Sequence, residues 1–398
     1  MDDNRRYYSL DALRGVMMMM GLVLHGAQWY MPDTLGILPL PTDRSTSYVF
    51  DLMMLLIHSF RMPLFFVLAG FFAALLVGKR GMKGTYVNRG KRILGPLAVG
   101  IVTILPLTIL FTLAFIVSAR FGTHELIPTS EQLEIVGGEL REAGFPTDQP
   151  SIAHLWFLNY LLYFYLMIPL CRAIVGLSTR IEAGVSRAIT SPFAAVAFGL
   201  FTALTLWPFR GGIVFEGFLF ITPHVPSLIY YGSFFIFGYV FHHYRPILKT
   251  FERYLAWFVP LSLMLFAASV LATRVEMAQA QVTPGVHAIA VLTNGLCTWA
   301  MIYMLMGVFL RFFDFKSPWI LYLSNASYWV YLIHLPIIVF AAWIVLPYDV
   351  HAFIKFPVIV AFTTLMCFLS YHYLVQKSWV SLLLNGKRFD AQWPWAER

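Results

Sequence analysis

Stretches of about twenty residues with almost no charge recur along this chain from end to end, and that recurrence constrains its fold more than any motif does. At about 1.5 Å per residue, one such stretch crosses a hydrocarbon core of roughly 30 Å as a helix. Only 12% of the 398 residues are charged and 59% are hydrophobic, with a mean hydropathy of +0.71. A water-soluble globule carries about twice that share of charge, so the solvent of this chain is largely lipid. The runs are too continuous for the alternating strands of a membrane barrel. The expected fold is therefore an all-α integral membrane protein, a bundle of about ten transmembrane helices with both termini inside.

Hydropathy places the spans at roughly 10–30, 48–77, 93–119, 153–171, 191–207, 227–243, 254–272, 288–310, 319–346 and 354–375. With the N-terminus in the cytoplasm, the inside segments hold most of the 28 Lys and Arg residues, from Arg5 and Arg6 through Lys79, Arg80 and Lys83 to Lys387, Arg388 and Arg398. The outside segments keep only Arg44, Arg120, Arg141, Arg210, Arg274 and Lys355, as the positive-inside rule requires. The net charge of +8 thus reads as topology; it forms no continuous stripe for nucleic acid. The segment Leu10–Tyr30 carries Arg14 and His25 and lacks a small-residue cleavage site, so it is expected to be the first membrane helix rather than a leader. Cys171, Cys297 and Cys367 show no metal-ligand spacing, and no metal is expected. One membrane domain covers 1–398, without a soluble domain. Its longest outer loop, 121–152, sets Glu125, Glu131, Glu134, Glu139, Glu142 and Asp148 against Arg141 alone, with a short amphipathic helix expected around Glu131–Glu142.

Ionisable residues within the spans are the informative ones, because lipid contact would cost each of them several kcal/mol. Arg14 and His25 are eleven residues apart, which at 100° per residue falls about 20° from three whole turns and rises roughly 16 Å. They share one face of the first helix at two depths. His25, Arg61 in the second span and His334 in the ninth each lie about fifteen residues from the inner end of their helices, so three side chains reach a similar depth and call for a shared polar chamber. A lone membrane histidine is more often a helix-to-helix hydrogen-bond partner; the joint pattern points to function. Arg89 and Arg92, in VNRGKRILGP, sit at i and i+3 where a helix begins and either hold phosphate or serve topology. His58, His154 and Trp156, with Asn325, Ser327 and Tyr331 in the ninth span, are acceptor-contacting or structural polar groups; Trp156 by default is an interface anchor.

SLDALRG with the Arg14 and His25 pair, HSFRMPLFFVLAGF at His58–Phe71, Arg89 and Arg92 before Ile93, HLWFL at His154–Leu158 and SYWVYLIHLP at Ser327–Pro336 resemble, in order and spacing, the membrane acyltransferase-3 family over about 10–373. HSFRM and the segments around NAS and YLIH look most like the glucans biosynthesis protein C branch, which adds succinyl groups to periplasmic glucans. The resemblance implies a multi-pass protein of the bacterial inner membrane that takes an acyl group, succinyl or acetyl, from cytoplasmic acyl-CoA and delivers it to a hydroxyl of a periplasmic carbohydrate. Acyl-CoA is then a co-substrate, and no bound cofactor is expected. It implies His25 as the catalytic position, Arg14 as its partner, and Arg89 with Arg92 in substrate binding. On chemical grounds His25 would act as base or become acylated, Arg61 would stabilise an oxyanion or a succinyl carboxylate, and His334 would orient His25 or share the proton. The competing function is a secondary transporter or exporter that uses the buried Arg and His for anion or proton handling.

Overall fold

In this computed structural model the described residues are 6–32, 41–142, 151–215, 221–389 and 393–394; Arg5, Asp148 and Arg398, used above, lie outside them. Among the described residues all regular structure is helical. The chain opens with α1 (Tyr8–Ala27) and then α2 (Tyr48–Arg89), which continues through a π-helical turn, Gly90–Leu94, into α3 (Gly95–Phe121). A straight helix of that combined length would extend about 110 Å. The chain instead doubles back: Gly81 has φ 66° and ψ 178°, and Met54, His58 and Arg61 of α2 line the same cavity as Thr108, Thr112 and Ile116 of α3.

The expected amphipathic segment forms α4 (Ser130–Glu142), held on α3 by an Arg120–Glu139 ion pair at 2.8 Å and by Val136 packed on Ile116 and Val117. The short α5 (Trp156–Leu166), α6 (Ile168–Ser178) and α7 (Glu182–Ile189) follow, then α8 (Ala194–Leu206), α9 (Val225–His243) and α10 (Ile247–Arg253). Four long helices complete the bundle, α11 (Leu255–Met277), α12 (Pro284–Phe312), α13 (Pro318–Val345) and α14 (Ala352–Ser370), before α15 (Trp379–Asn385).

Six helical stretches are long and apolar enough to cross a membrane, and seven if the segments Ala153–Leu166 and Ile168–Ile189, bent by 50°, form one span. The protein is thus an all-helical, multi-pass membrane protein. Two expected spans fall outside that set for physical reasons. α8 has 13 residues, about 20 Å of helix. α9 carries Ser227, Tyr230, Tyr231, Tyr239, His242 and His243, and most of it is buried against neighbours, where polarity is tolerated because no lipid is met.

Burial sorts the helices into layers. About two thirds of the apolar window of α1 is buried (67%) against 28% for α11 and α14, whose outward faces present Trp257, Met264 and Leu365. Helices α1, α12 and α13 are therefore the core, with α2 and α9 packed beside them. The α2–α9 crossing depends on two glycines: a Cβ at Gly70 would lie 1.9 Å from the Phe235 carbonyl oxygen, and one at Gly238 would lie 1.9 Å from that of Val67. Close backbone approach of this kind replaces the hydrophobic force that lipid removes between helices.

Buried prolines free carbonyls that the fold then uses. Pro63 in α2 has no N–H for the Ser59 carbonyl, and Thr298 Oγ1 of α12 donates to that oxygen at 2.8 Å. Away from these, Lys355 of α14 and Asp43 form an ion pair at 2.7 Å that is almost fully buried and ties the 41–47 segment to the bundle.

Because backbone faces backbone at the α2–α9 crossing, Gly70→Ala is expected to cost about 1–3 kcal/mol as the helices part. Thermal unfolding in detergent checks this; a midpoint equal to that of the parent chain would disprove the crossing.

Candidate functional site

Two cavities lie back to back inside the bundle. The upper, of about 370 Å³, is lined by residues of α1, α2, α3, α5 and α13, with Leu140 of α4 at its edge. The lower, of about 260 Å³, opens among Arg14, Arg89, Arg92 and Lys387. Met18, Phe65, Phe157 and Tyr331 line both.

The upper cavity gathers His25, His58, Arg61, His154, Trp156, Tyr331 and His334. The ring centroids of His25 and His334 are 5.3 Å apart and those of His154 and His334 are 5.4 Å apart. Helical periodicity explains the gathering: Arg14, Met18, Gly21 and His25 follow each other at i, i+4, i+7 and i+11 down one face of α1. Gly21 makes room for the second helix, since a Cβ there would lie 3.0 Å from Nη2 of Arg61. The Arg61 guanidinium thus sits one turn below His25, buried at 7% exposure. Among the described residues no aspartate or glutamate lines this cavity, so its fixed charge is that of Arg61 alone.

Each imidazole is oriented by an oxygen acceptor, which fixes its tautomer. His25 Nδ1 donates to Oε1 of Gln28 at 3.2 Å, leaving Nε2 as a bare lone pair. His334 Nδ1 donates to its own helix, at 2.7 Å to the Tyr331 carbonyl, and its Nε2 is buried without a partner. His58 Nε2 donates to the Val214 carbonyl and its ring stacks on Phe215. His154 Nε2 donates at 2.9 Å to the Leu332 carbonyl, the acceptor that Pro336, four residues on, cannot use. In return Tyr331 Oη donates at 2.7 Å to the His154 carbonyl. The chain enters this arrangement through Ala153, which takes a positive φ of 45°, a local strain of the kind found beside functional groups.

In the lower cavity Arg14 Nη2 donates to Ser324 Oγ at 2.6 Å and lies 3.4 Å from Asp11, which also holds Arg6 at 2.7 Å. Arg89 lies over the Tyr165 ring at 5.2 Å. Arg92 bonds the Asn385 carbonyl, and Tyr328 Oη donates to the Arg92 carbonyl at 2.6 Å. Arg89 ends α2 and Arg92 belongs to the π-helical turn, so the pair does not open a helix as their spacing suggested. Asn325 lines the cavity beside them, and Ser327, also in its wall, returns its hydroxyl to the Ser324 carbonyl at 2.8 Å. Among the described residues Asp11 is the one carboxylate paired with these arginines, and the excess of cations suits the cavity to a polyanion.

All the residues singled out in the sequence therefore lie on one cavity or the other. Three differences matter. Trp156 is no interface anchor; it is buried between Phe66, Tyr160 and Tyr231 in the cavity wall. His25 is oriented by Gln28, three residues along its own helix, and not by a hydrogen bond from His334. Lys387 and Phe389, which return beneath the bundle to line the lower cavity, carry no local sequence signal that would have marked them.

Loss of the His154 donor leaves the Leu332 carbonyl buried and unpaired, so His154→Phe is expected to cost about 1–3 kcal/mol. In a Pro336→Ala background, where the helix supplies its own N–H, most of that cost should vanish. Thermal unfolding of the four proteins in the double-mutant cycle measures the coupling, and additive effects would refute the pairing.

Comparison with known proteins bears on the same residues. The acyltransferase-3 family, described as an acyltransferase domain, matches residues 7–372, a span that contains nearly all of both cavity walls. Glucans biosynthesis protein C of Escherichia coli strain SMS-3-5 / SECEC is 25% identical over 402 aligned residues, covering 96% of this chain and 95% of that protein. The proteins of the same name from strains O1:K1 / APEC and K12 are 24% identical over the same shares. No solved structure matches. With the family match running through both chambers and most of the chain, this protein belongs to the acyltransferase-3 family and is a membrane-embedded acyltransferase.

Proposed function

We propose that the protein transfers an acyl group from cytoplasmic acyl-CoA to a hydroxyl of a periplasmic carbohydrate, across a bacterial inner membrane that it spans ten times with both termini inside. The observation that carries this reading is the pair of back-to-back chambers, one lined by arginines and one by imidazoles, joined along a single face of α1. The phosphates of CoA lie among Arg14, Arg89, Arg92 and Lys387, and the pantetheine arm runs the roughly 16 Å from Arg14 to His25. The carbohydrate enters from the α4 side against Trp29, Trp156 and Phe215, whose rings suit the apolar faces of a sugar.

The chemistry then follows from the fixed tautomer. Nε2 of His25 takes the proton of the acceptor hydroxyl, and the oxygen forms its bond to the thioester carbon. The tetrahedral oxyanion sits beside Arg61, the one fixed charge among the described residues of the chamber wall. As the intermediate collapses the C–S bond breaks and the CoA sulfur takes the proton from His25, restoring the imidazole. With no carboxylate among the described residues of the upper cavity wall to neutralise it, Arg61 also suits a donor with a free carboxylate, which favours succinyl over acetyl. The name shared by the relatives, glucans biosynthesis protein C, supports a glucan as the acceptor.

His25→Ala should insert normally and give no acylated product when radiolabelled succinyl-CoA and glucan are supplied to the purified protein in nanodiscs. Retained activity above a few per cent of the parent removes His25 from the mechanism. Gly21→Val, which pushes Arg61 away without touching His25, should lower kcat at least tenfold, about 1.4 kcal/mol of lost transition-state stabilisation. Mass spectrometry of periplasmic glycans from cells with and without the gene tests the acyl group and the acceptor: a succinyl mass difference is expected, and unchanged glycans would overturn the assignment.

A further inference from the structure

The two chambers share four wall residues, one from each of four helices: Met18 of α1, Phe65 of α2, Phe157 of α5 and Tyr331 of α13. All four are buried, with exposures between 4% and 7%. The rings of Phe65 and Phe157 lie 5.5 Å apart and those of Phe157 and Tyr331 lie 5.7 Å apart, forming a continuous aromatic line. Tyr331 is fixed by its hydrogen bond to the His154 carbonyl, and Phe157 is packed against Phe66 and Trp156. Met18 differs from the other three in being unbranched and flexible, with three rotatable bonds and a soft thioether. It stands on the α1 face between Arg14, about 6 Å below, and His25, about 10 Å above.

We infer that these four side chains form an apolar septum between the chambers, with Met18 as the leaf that moves, and that the septum is the element that selects the acyl donor by cross-section. The inference rests on the function proposed above and adds to it a residue set with a separate role. A slim, unbranched acyl-thioester arm displaces Met18 and makes van der Waals contact with Phe65 and Phe157 on its way to His25, whereas the bulky nucleotide head of the donor is held back by its cross-section and by the guanidinium groups that bind its phosphates below the septum. When no donor is present the septum separates the imidazoles of the upper chamber from water on the basic side. The donor thioester then meets the sugar hydroxyl and not bulk water, and hydrolysis is suppressed. Met18 acts through passage and exclusion, with no part in the bond changes; it is a specificity-determining residue.

The test uses the full chain in nanodiscs and separates the head of the donor from its arm. Adenosine 3′,5′-bisphosphate, which carries phosphates without the pantetheine, reports on the lower chamber by equilibrium dialysis, and radiolabelled succinyl-CoA with glucan reports on transfer. Met18→Trp, which fills the gap, is expected to bind the bisphosphate within about threefold of the parent while transfer falls at least a hundredfold. Met18→Ala, which opens it, is expected to keep transfer and to raise succinyl-CoA hydrolysis in the absence of glucan at least fivefold. Transfer by Met18→Trp at the parental rate would overturn the septum, and so would an equal loss of bisphosphate binding and transfer. If Met18→Trp does not insert, hydrolysis by Met18→Ala decides alone, and an unchanged rate overturns the inference. A parent protein that neither binds the bisphosphate nor transfers overturns the donor assignment together with the septum, whereas an active parent with insensitive Met18 variants overturns only the septum.

Discussion

A guanidinium inside a membrane has to be housed, and the housing of Arg61 organises the centre of this protein. Hydrocarbon would charge several kcal/mol for its exposure, so α2 must turn that side chain inward. Inward there is room only because α1 has glycine at position 21, where any Cβ would crowd Nη2. Once Arg61 lies against α1, the i+4 position above it is His25, and the rings of His334 and His154 complete a polar wall. Thus one charge, unable to face lipid, fixes the contact between α1 and α2 and with it the chamber in which the chemistry is set.

The same logic of unsatisfied groups recurs at the prolines. Pro63 and Pro336 each cost a backbone hydrogen bond that lipid cannot replace, and each freed carbonyl is taken up by a side chain from another helix, Thr298 in one case and His154 in the other. The second case has a consequence for chemistry. By donating Nε2–H to the Leu332 carbonyl, His154 is held in one orientation in the cavity wall, so a helix defect and a site residue are one feature.

How much of this was legible in the sequence depended on the range of the interaction. The shared face of Arg14 and His25 follows from helical period alone, and counting residues from the inner ends was enough to bring His25 and His334 to one depth, where their rings are 5.3 Å apart. The role of Gln28 was legible in principle, being three residues from His25, but an amide at the end of an apolar run carries no mark of direction. Trp156 misled because its position along the chain fits an interface anchor, while the rings that surround it, Phe66 and Tyr231, come from helices distant in sequence. The span expected at 227–243 forms as α9 yet falls outside the stretches long and apolar enough to cross a membrane, and this helix is mostly in contact with protein. Lys387 and the septum were beyond reach, since nothing local in the chain tells which residues from distant helices will meet at one level.

The spacing along α1 also joins the two ends of the reaction. Arg14 and His25 can face the same channel only if the number of residues between them is close to a whole number of turns, and the choice of eleven fixes their separation at roughly 16 Å. A ligand that engages both must therefore be long, and it must be thin where it passes Met18, because four buried side chains leave little cross-section there. One residue inserted between Arg14 and His25 would rotate His25 by about 100° and move it by only about 1.5 Å. The distance would still suit the donor arm, but the imidazole would leave the chamber; angular register, more than length, is what this helix has to preserve.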